Sequence, residues 1–304
     1  MLATMAARTL ARMAGVAALL SACALAGAAP AADEVSGYRF QIVMGDDSAV
    51  SRRIADDLYK RLLPIFTPFR TELGQRRRMV YVPIGPAALH DVVARKCDCV
   101  VLAAFTSSQV WRSVLAGVTP ARASAMTAVF AEPAPADQLR LAALLYRRPV
   151  RIAAIVGTNE AYLAAVLHGA ATLHRFSEGD DINRVLNGLA PADVLLAVPE
   201  RAVYTTENIR NILLSTYRHN QSVIGFSADM VKAGALATTY SEIEDINAQV
   251  AETAAEFVAS GVLAPAQYPR YFSTLVNDGV ARSLNVDVDD AARQFGHHPP
   301  ARRP

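Results

Sequence analysis

Beyond its first 31 residues this 304-residue chain has two cysteines, one tryptophan, no long apolar run and almost no net charge. Each scarcity excludes something. Cys97 and Cys99 flank Asp98, a spacing that is neither the C-x-x-C of a redox motif nor that of a zinc site, and two thiols cannot make a disulfide framework. Alternate strand residues face one side, so the pair reads as two buried thiols or a local bridge whose short loop adds little stability. No later stretch approaches the ~18 uninterrupted apolar residues of a membrane span. None of the six histidines sits in a motif with metal-ligand spacing. His297-His298 offers only two ligands on a Pro- and Arg-rich tail, which is a poor metal site. A hydrolase or transferase would need a nucleophile with its base, and no such motif appears, so the sequence points to a non-enzyme without cofactors.

The N-terminus carries what the rest lacks. Arg8 and Arg12 precede the apolar run from Met13 to Leu20, and small residues follow as far as Ala29-Pro30-Ala31. That three-part layout is a secretory signal. Two cleavage routes are open: Ala29-Pro30-Ala31 suits ordinary signal peptidase, giving a leader of residues 1–31, whereas Leu20-Ser21-Ala22-Cys23 fits a lipoprotein box, giving 1–22 and lipidation at Cys23. Either route places the mature chain in the periplasm. Removing Arg8 and Arg12 reduces the 30 basic residues to 28, equal to the 28 acidic ones, so no nucleic-acid surface is implied.

Apolar content of 52% supplies a substantial core, and the mature chain has the length of two α/β lobes. Strand patterns over 38–44, 79–84, 99–104 and 126–130 alternate with helical patterns over 48–66, 86–94 and 107–115. Prolines among small residues at 131–137 mark a break, and 131–149 reads as the edge of the first lobe. The alternation then restarts, with strands at 151–156, 172–176 and 193–198 and helices at 160–168 and 181–189. Residues 291–304, rich in Pro and Arg, read as a disordered tail.

The stretch from Val194 to Leu236 forms a further βαβ unit with polar residues at its strand ends. Within it, Asn208-Ile209-Arg210-Asn211-Ile212-Leu213-Leu214, Thr216-Tyr217-Arg218-His219, Val223-Ile224-Gly225-Phe226-Ser227 and Val231-Lys232-Ala233-Gly234-Ala235-Leu236-Ala237, with Gln267-Tyr268-Pro269-Arg270-Tyr271-Phe272-Ser273 later on, resemble the ABC-transporter substrate-binding family of type I periplasmic-binding-protein fold, in a proteobacterial branch. The likeness runs from about 193 to 284 and is weak before Pro149. Ser222 stands where the family usually has Pro, and the usual Gly of the following helix is replaced near Asn247. The resemblance implies two Rossmann-like lobes with parallel sheets joined by a three-strand hinge. Lobe one would span 36–148 plus about 235–263, and lobe two 149–234 plus about 264–290. It further implies a monomer that closes on a small-molecule ligand, an amino acid or similar carboxylate, and delivers it to an inner-membrane ABC permease. An envelope sensory or interaction protein with the same clamp is the alternative.

Parallel sheets bind ligands at the carboxyl ends of their strands, where helix N-termini present free N–H groups. That rule selects Thr106, Ser107 and Ser108 as the seat for a carboxylate, and Thr158 and Asn159 as their counterpart in lobe two. Glu200, just past a strand, can pair with an ammonium group. Ser227 and Asp229 near the hinge, and Gly45 and Asp46 after the first strand, complete the candidates. Ordinary N-capping uses the same residues and geometry. Tyr204, Tyr240, Tyr268 and Tyr271 read as packing, Trp111 as wedged against the sheet, and Arg76-Arg77-Arg78 as a solvated turn.

Overall fold

A computed structural model describes residues 37–70, 77–158 and 161–300, except the side chains of residues 69 and 70. The leader with Cys23, together with Arg76, Asn159, Glu160 and residues 301–304, lies outside the described residues. Both sheets belong to one unit of the chain.

The first sheet contains β1 (Gly37–Met44), β2 (Arg77–Ile84), β3 (Cys99–Thr106) and β4 (Met126–Phe130), all parallel and in that spatial order. Its central strands are covered on both faces, which is why β3 is a continuous apolar run. Val80, Val82, Val100 and Leu102 face helix α1 (Ala49–Phe66), whose Ile54, Leu58 and Leu62 recur at helical spacing. Val101 and Ala103 point the other way, toward α2 (Gly85–Ala94) and α3 (Ser108–Ala116), where Leu89, Val92 and Trp111 are buried. The steps β1 to β2 and β2 to β3 run in the same direction with helices on opposite faces, so these two crossovers have opposite hands. A short helix, α4 (Pro120–Ala123), precedes β4.

The second sheet has the order β10-β9-β8-β7-β5-β6, with β5 (Ile152–Gly157), β6 (Thr172–Phe176), β7 (Val194–Leu196), β8 (Ser222–Ile224) and β9 (Ala237–Tyr240) parallel. An antiparallel edge strand, β10 (Ser273–Val276), closes it. The two series thus form two α/β lobes with parallel sheets.

The chain changes sheets at different points from those the sequence suggests. Residues 135–146, read as the edge of the first lobe, form α5 (Pro135–Tyr146), and its Leu141, Ala142 and Leu145 are buried with Ala154, Val156 and Leu196 of the second sheet. Pro135 misleads because it sits in the first helical turn, where its missing N–H has no helical acceptor to lose. The first crossover is therefore near 131–134, not 148. The second is near 241–242 rather than 235, because β9 pairs with β8 and β10 before α10 (Ile243–Ser260) packs its Ile246, Val250 and Phe257 on α1. The third follows Gln267, which bridges to Val129 of β4 beyond the expected 264.

The second lobe's remaining helices are α6 (Ala161–Val166), α7 (Ile182–Asn187), α8 (Thr206–Arg218), α9 (Ala228–Ala233), α11 (Asp278–Ser283) and α12 (Asp290–Arg293). The expected disorder after 291 is corrected as far as residue 300. Phe295 packs edge-on against Phe272 at 5.3 Å, and His297 exchanges two backbone hydrogen bonds with Phe272. Gly296 permits this approach: a Cβ there would lie 2.5 Å from the Phe272 carbonyl oxygen. Composition hid a segment held by the rings of Phe295 and His297 against Phe272 and by a backbone bridge. Among the described residues no helix is long and apolar enough to cross a membrane.

Candidate functional site

Strand order decides where a ligand can sit. In the second sheet β5 lies between β6 and β7, so the chain winds outward from β5 in both directions. The helices that follow diverge: Leu163 of α6 is buried on one face and Ile212 of α8 on the other. Diverging helices leave a crevice at the strands' carboxyl ends. A cavity of ≈ 1130 Å³ opens there, lined from lobe one by Gln109, Val110, Arg112 and Ser113 of α3 and from lobe two by residues including Tyr162, Glu178, Asp180, Glu200, Arg201 and Glu207.

Glu200 is the best-placed polar group. It is only 6% exposed, and its Oε2 accepts from the Gly157 N–H at 3.2 Å and from Nε2 of Gln109 at 3.1 Å. The first bond ties the ends of β5 and β7 together, and the second spans the cleft. No cation pairs with Glu200 among the described residues. Arg112 reaches across from the other side, its guanidinium 3.7 Å above the Tyr162 ring and donating to Ser108 Oγ at 3.1 Å. It too has no ion-pair partner among the described residues. A carboxylate and a guanidinium, neither in a contact ion pair among the described residues, therefore line one cavity.

Beneath Arg112 the lobe-one end of the cleft is tightly filled. Ser108 is buried, and its N–H donates to Glu132 Oε1 at 2.7 Å while its Oγ accepts from the Tyr268 hydroxyl at 3.3 Å. Glu132 lies on the first crossover, is 5% exposed, and its Oε2 has no hydrogen-bond partner. Burial pushes the Glu132 carboxyl above its ordinary range, against the opposing pull of Ser108 and Arg112. Burial likewise pushes the Tyr268 phenol up to about 12.

The candidates read from sequence separate accordingly. Glu200 lines the cavity. Ser108 sits directly beneath it, and Ser107 caps α3 by accepting from the Val110 N–H at 3.2 Å. Thr106 is buried with its hydroxyl unpartnered. Thr158 is exposed at the end of β5, where its carbonyl accepts from Arg175 at 3.1 Å. Asn159 lies outside the described residues. Gly45 and Asp46 are brought elsewhere: β1 is the outer strand of its sheet, two strands away from β3, so its end is remote from α3. Asp46 instead serves its own turn, accepting from Ser48 N–H and Ser51 Oγ, and hydrogen bonds from Ser48 and Ser51 lower its pKa to about 2. Ser227 caps α9, and Asp229 pairs with Lys232 at 2.9 Å. Both line a separate, largely apolar groove between α8 and α9.

Sequence reasoning missed Gln109, Arg112, Glu132 and Tyr162. Arg112 is four residues after Ser108 and so shares its helix face, a signal available in the sequence. Nothing local announces Glu132, whose role depends on β4 ending beside α3. Cys97 and Cys99 are joined by a disulfide, with Arg122 donating to the Cys99 carbonyl oxygen at 2.7 Å.

No family model and no curated protein matches the sequence. Solved structures do match, and they define the class: the chain has the type I periplasmic-binding-protein fold. A substrate binding protein with adhesive properties from Clostridium difficile, in its ligand-free open form, aligns with a TM-score of 0.58 and 12% identity over 86% of this chain and 99% of its own. A conserved domain protein from Vibrio cholerae gives 0.52 and 14%, covering 85% and 98%. An ABC domain from Streptococcus pneumonia in complex with L-Trp gives 0.50 and 12%, covering 86% and 99%. At such identities the likeness is one of fold.

Proposed function

We propose that this protein is an exported solute-binding protein that captures a small zwitterion, an amino acid or close analogue, in the periplasm and presents it to an ABC permease. One observation carries the reading: Arg112 and Glu200 line the same inter-lobe cavity, neither in a contact ion pair among the described residues. Glu200 is buried and Arg112 half-buried, and a charge withdrawn from water is costly unless paired, so the two favour a ligand ammonium and a ligand carboxylate. Gln109 and Tyr162 set the spacing, and the fold's solved neighbours include a complex with L-Trp.

Calorimetric titration of the mature protein with a panel of amino acids is the test. At least one should bind and compact the molecule in small-angle scattering. Arg112→Ala should then cost about 1.5–3 kcal/mol of affinity, the range for hydrogen bonds to charged groups. A panel without binders, or a binder indifferent to Arg112, would remove the proposal. Export is checked separately by intact mass, with loss of the first 22 residues and a Cys23-dependent lipid, or of the first 31.

A further inference from the structure

Away from the cleft, one guanidinium is given over to a disulfide. Cys97 and Cys99 are bridged two residues apart at the amino end of β3. Arg122 of α4 donates through Nη1 to the carbonyl oxygens of Cys99 at 2.7 Å and Cys97 at 3.4 Å. Its Nη2 lies 3.3 Å from the Cys99 sulfur and 4.0 Å from that of Cys97. No carboxylate is in a contact ion pair with Arg122 among the described residues, and the nearby Asp98 is held by Arg78 at 2.9 Å. As a staple the bridge does little, because closing so short a loop removes almost no freedom from the unfolded chain. As a reactive pair it is well arranged. Cys97 is exposed and Cys99 buried, so an incoming thiolate meets the Cys97 sulfur and Cys99 becomes the leaving group. Burial alone would make Cys99 a poor one, and the guanidinium beside it offsets that penalty by favouring the charged form. The rim adds a sign. Asp91 is paired with Arg95 and Asp98 with Arg78, which leaves Arg122 and the exposed Lys96 as the unmatched cations of this loop among the described residues.

We propose that the Cys97–Cys99 bridge is a thiol–disulfide exchange site for small thiols of net negative charge. The thiolate of such a molecule attacks the Cys97 sulfur, the bond between the two protein sulfurs breaks, and its electron pair leaves on Cys99 as a thiolate beside Arg122. A second thiolate attacks the small-molecule sulfur of the mixed disulfide and releases Cys97 as a thiolate. Two small thiols are thereby oxidised to their disulfide while the bridge is reduced, and the reverse steps re-form it. The ligand cavity lies past the other end of β3, ~25 Å along the strand, so exchange is independent of solute binding.

The experiment exposes the folded, mature protein to reduced glutathione, an anionic thiol, or to cysteamine, a cationic one, and follows bridge opening by alkylation and intact mass. Glutathione should open the bridge with the circular dichroism unchanged. At equal thiolate concentration it should act faster than cysteamine, and added salt should shrink the difference. Arg122→Gln should slow glutathione about tenfold, and Arg122→Lys should restore most of the rate. With oxidised glutathione, Cys99→Ser should form a mixed disulfide at Cys97, whereas Cys97→Ser should form one at Cys99 about tenfold more slowly. A bridge that opens only on unfolding, a rate unchanged in Arg122→Gln, glutathione no faster than cysteamine, or faster capture at Cys99 would each overturn the proposal.

Discussion

The two lobes share a βα rhythm but not a strand order, and the difference explains why they contribute unequally to the cleft. In lobe two the order β6-β5-β7-β8 reverses direction at β5, so two strand ends and their diverging helices converge on one crevice. Lobe one runs β1-β2-β3-β4 without a reversal and reaches the cavity through α3 alone. Equivalent positions in sequence are therefore not equivalent in space. Thr158 and Glu200 end strands beside the crevice, whereas Gly45 and Asp46 end a strand at the outer edge. Similar local patterns gave one lobe a composite site and the other a single helix.

The asymmetry is sharpest at Glu200, which ties β5 to β7 and reaches Gln109 across the cleft. Glu200→Ala should cost about 2–5 kcal/mol of ligand affinity, the usual result of truncating one member of a buried charge pair. Titration calorimetry reads this directly. A loss no greater than that of Arg112→Ala would mean lobe two does not dominate binding.

Glu132 tests the lobe-one end. Its folded-state pKa is raised by burial above an ordinary 4.5. The folded protein therefore holds a proton that the unfolded chain has released, and stability falls as pH rises from about 4.5 toward the folded-state value. Glu132→Gln should flatten this part of the profile, with a relative gain in stability toward neutral pH. Thermal melts of both proteins across pH 4 to 8 supply the comparison, and parallel curves would show that Glu132 is solvated.

The smallest effect separates two neighbouring serines. Ser107→Ala removes the α3 cap and should lower stability by ~1 kcal/mol. Ser108→Ala releases Arg112 and Tyr268 as well, so it should weaken ligand binding beyond any loss of stability. Equal affinities for the two variants would assign both serines to capping.

Much of the fold was legible because its signals are local. Apolar runs such as Cys99–Thr106, the four-residue spacing of Ile54, Leu58 and Leu62, and the cap at Ser107 each depend on a few adjacent residues. Helix α5 was hidden because Pro135 punctuates a linker and begins a helix equally well. The final residues were hidden because their order rests on Phe295 meeting Phe272, a contact from another part of the chain.

The sequence by itself determined the βα alternation, the apolar faces of the helices, and Glu200 as a carboxylate at a strand end. Tertiary structure alone decided that β1 lies at an edge, that the chain crosses between sheets at 131–134, and that Glu132 rather than a ligand meets the Ser108 N–H. The reason is physical. Helix periodicity and capping are fixed by neighbours within a turn, whereas strand order and charge pairing depend on which distant segments share a buried surface, where an unpaired charge costs far more than in water.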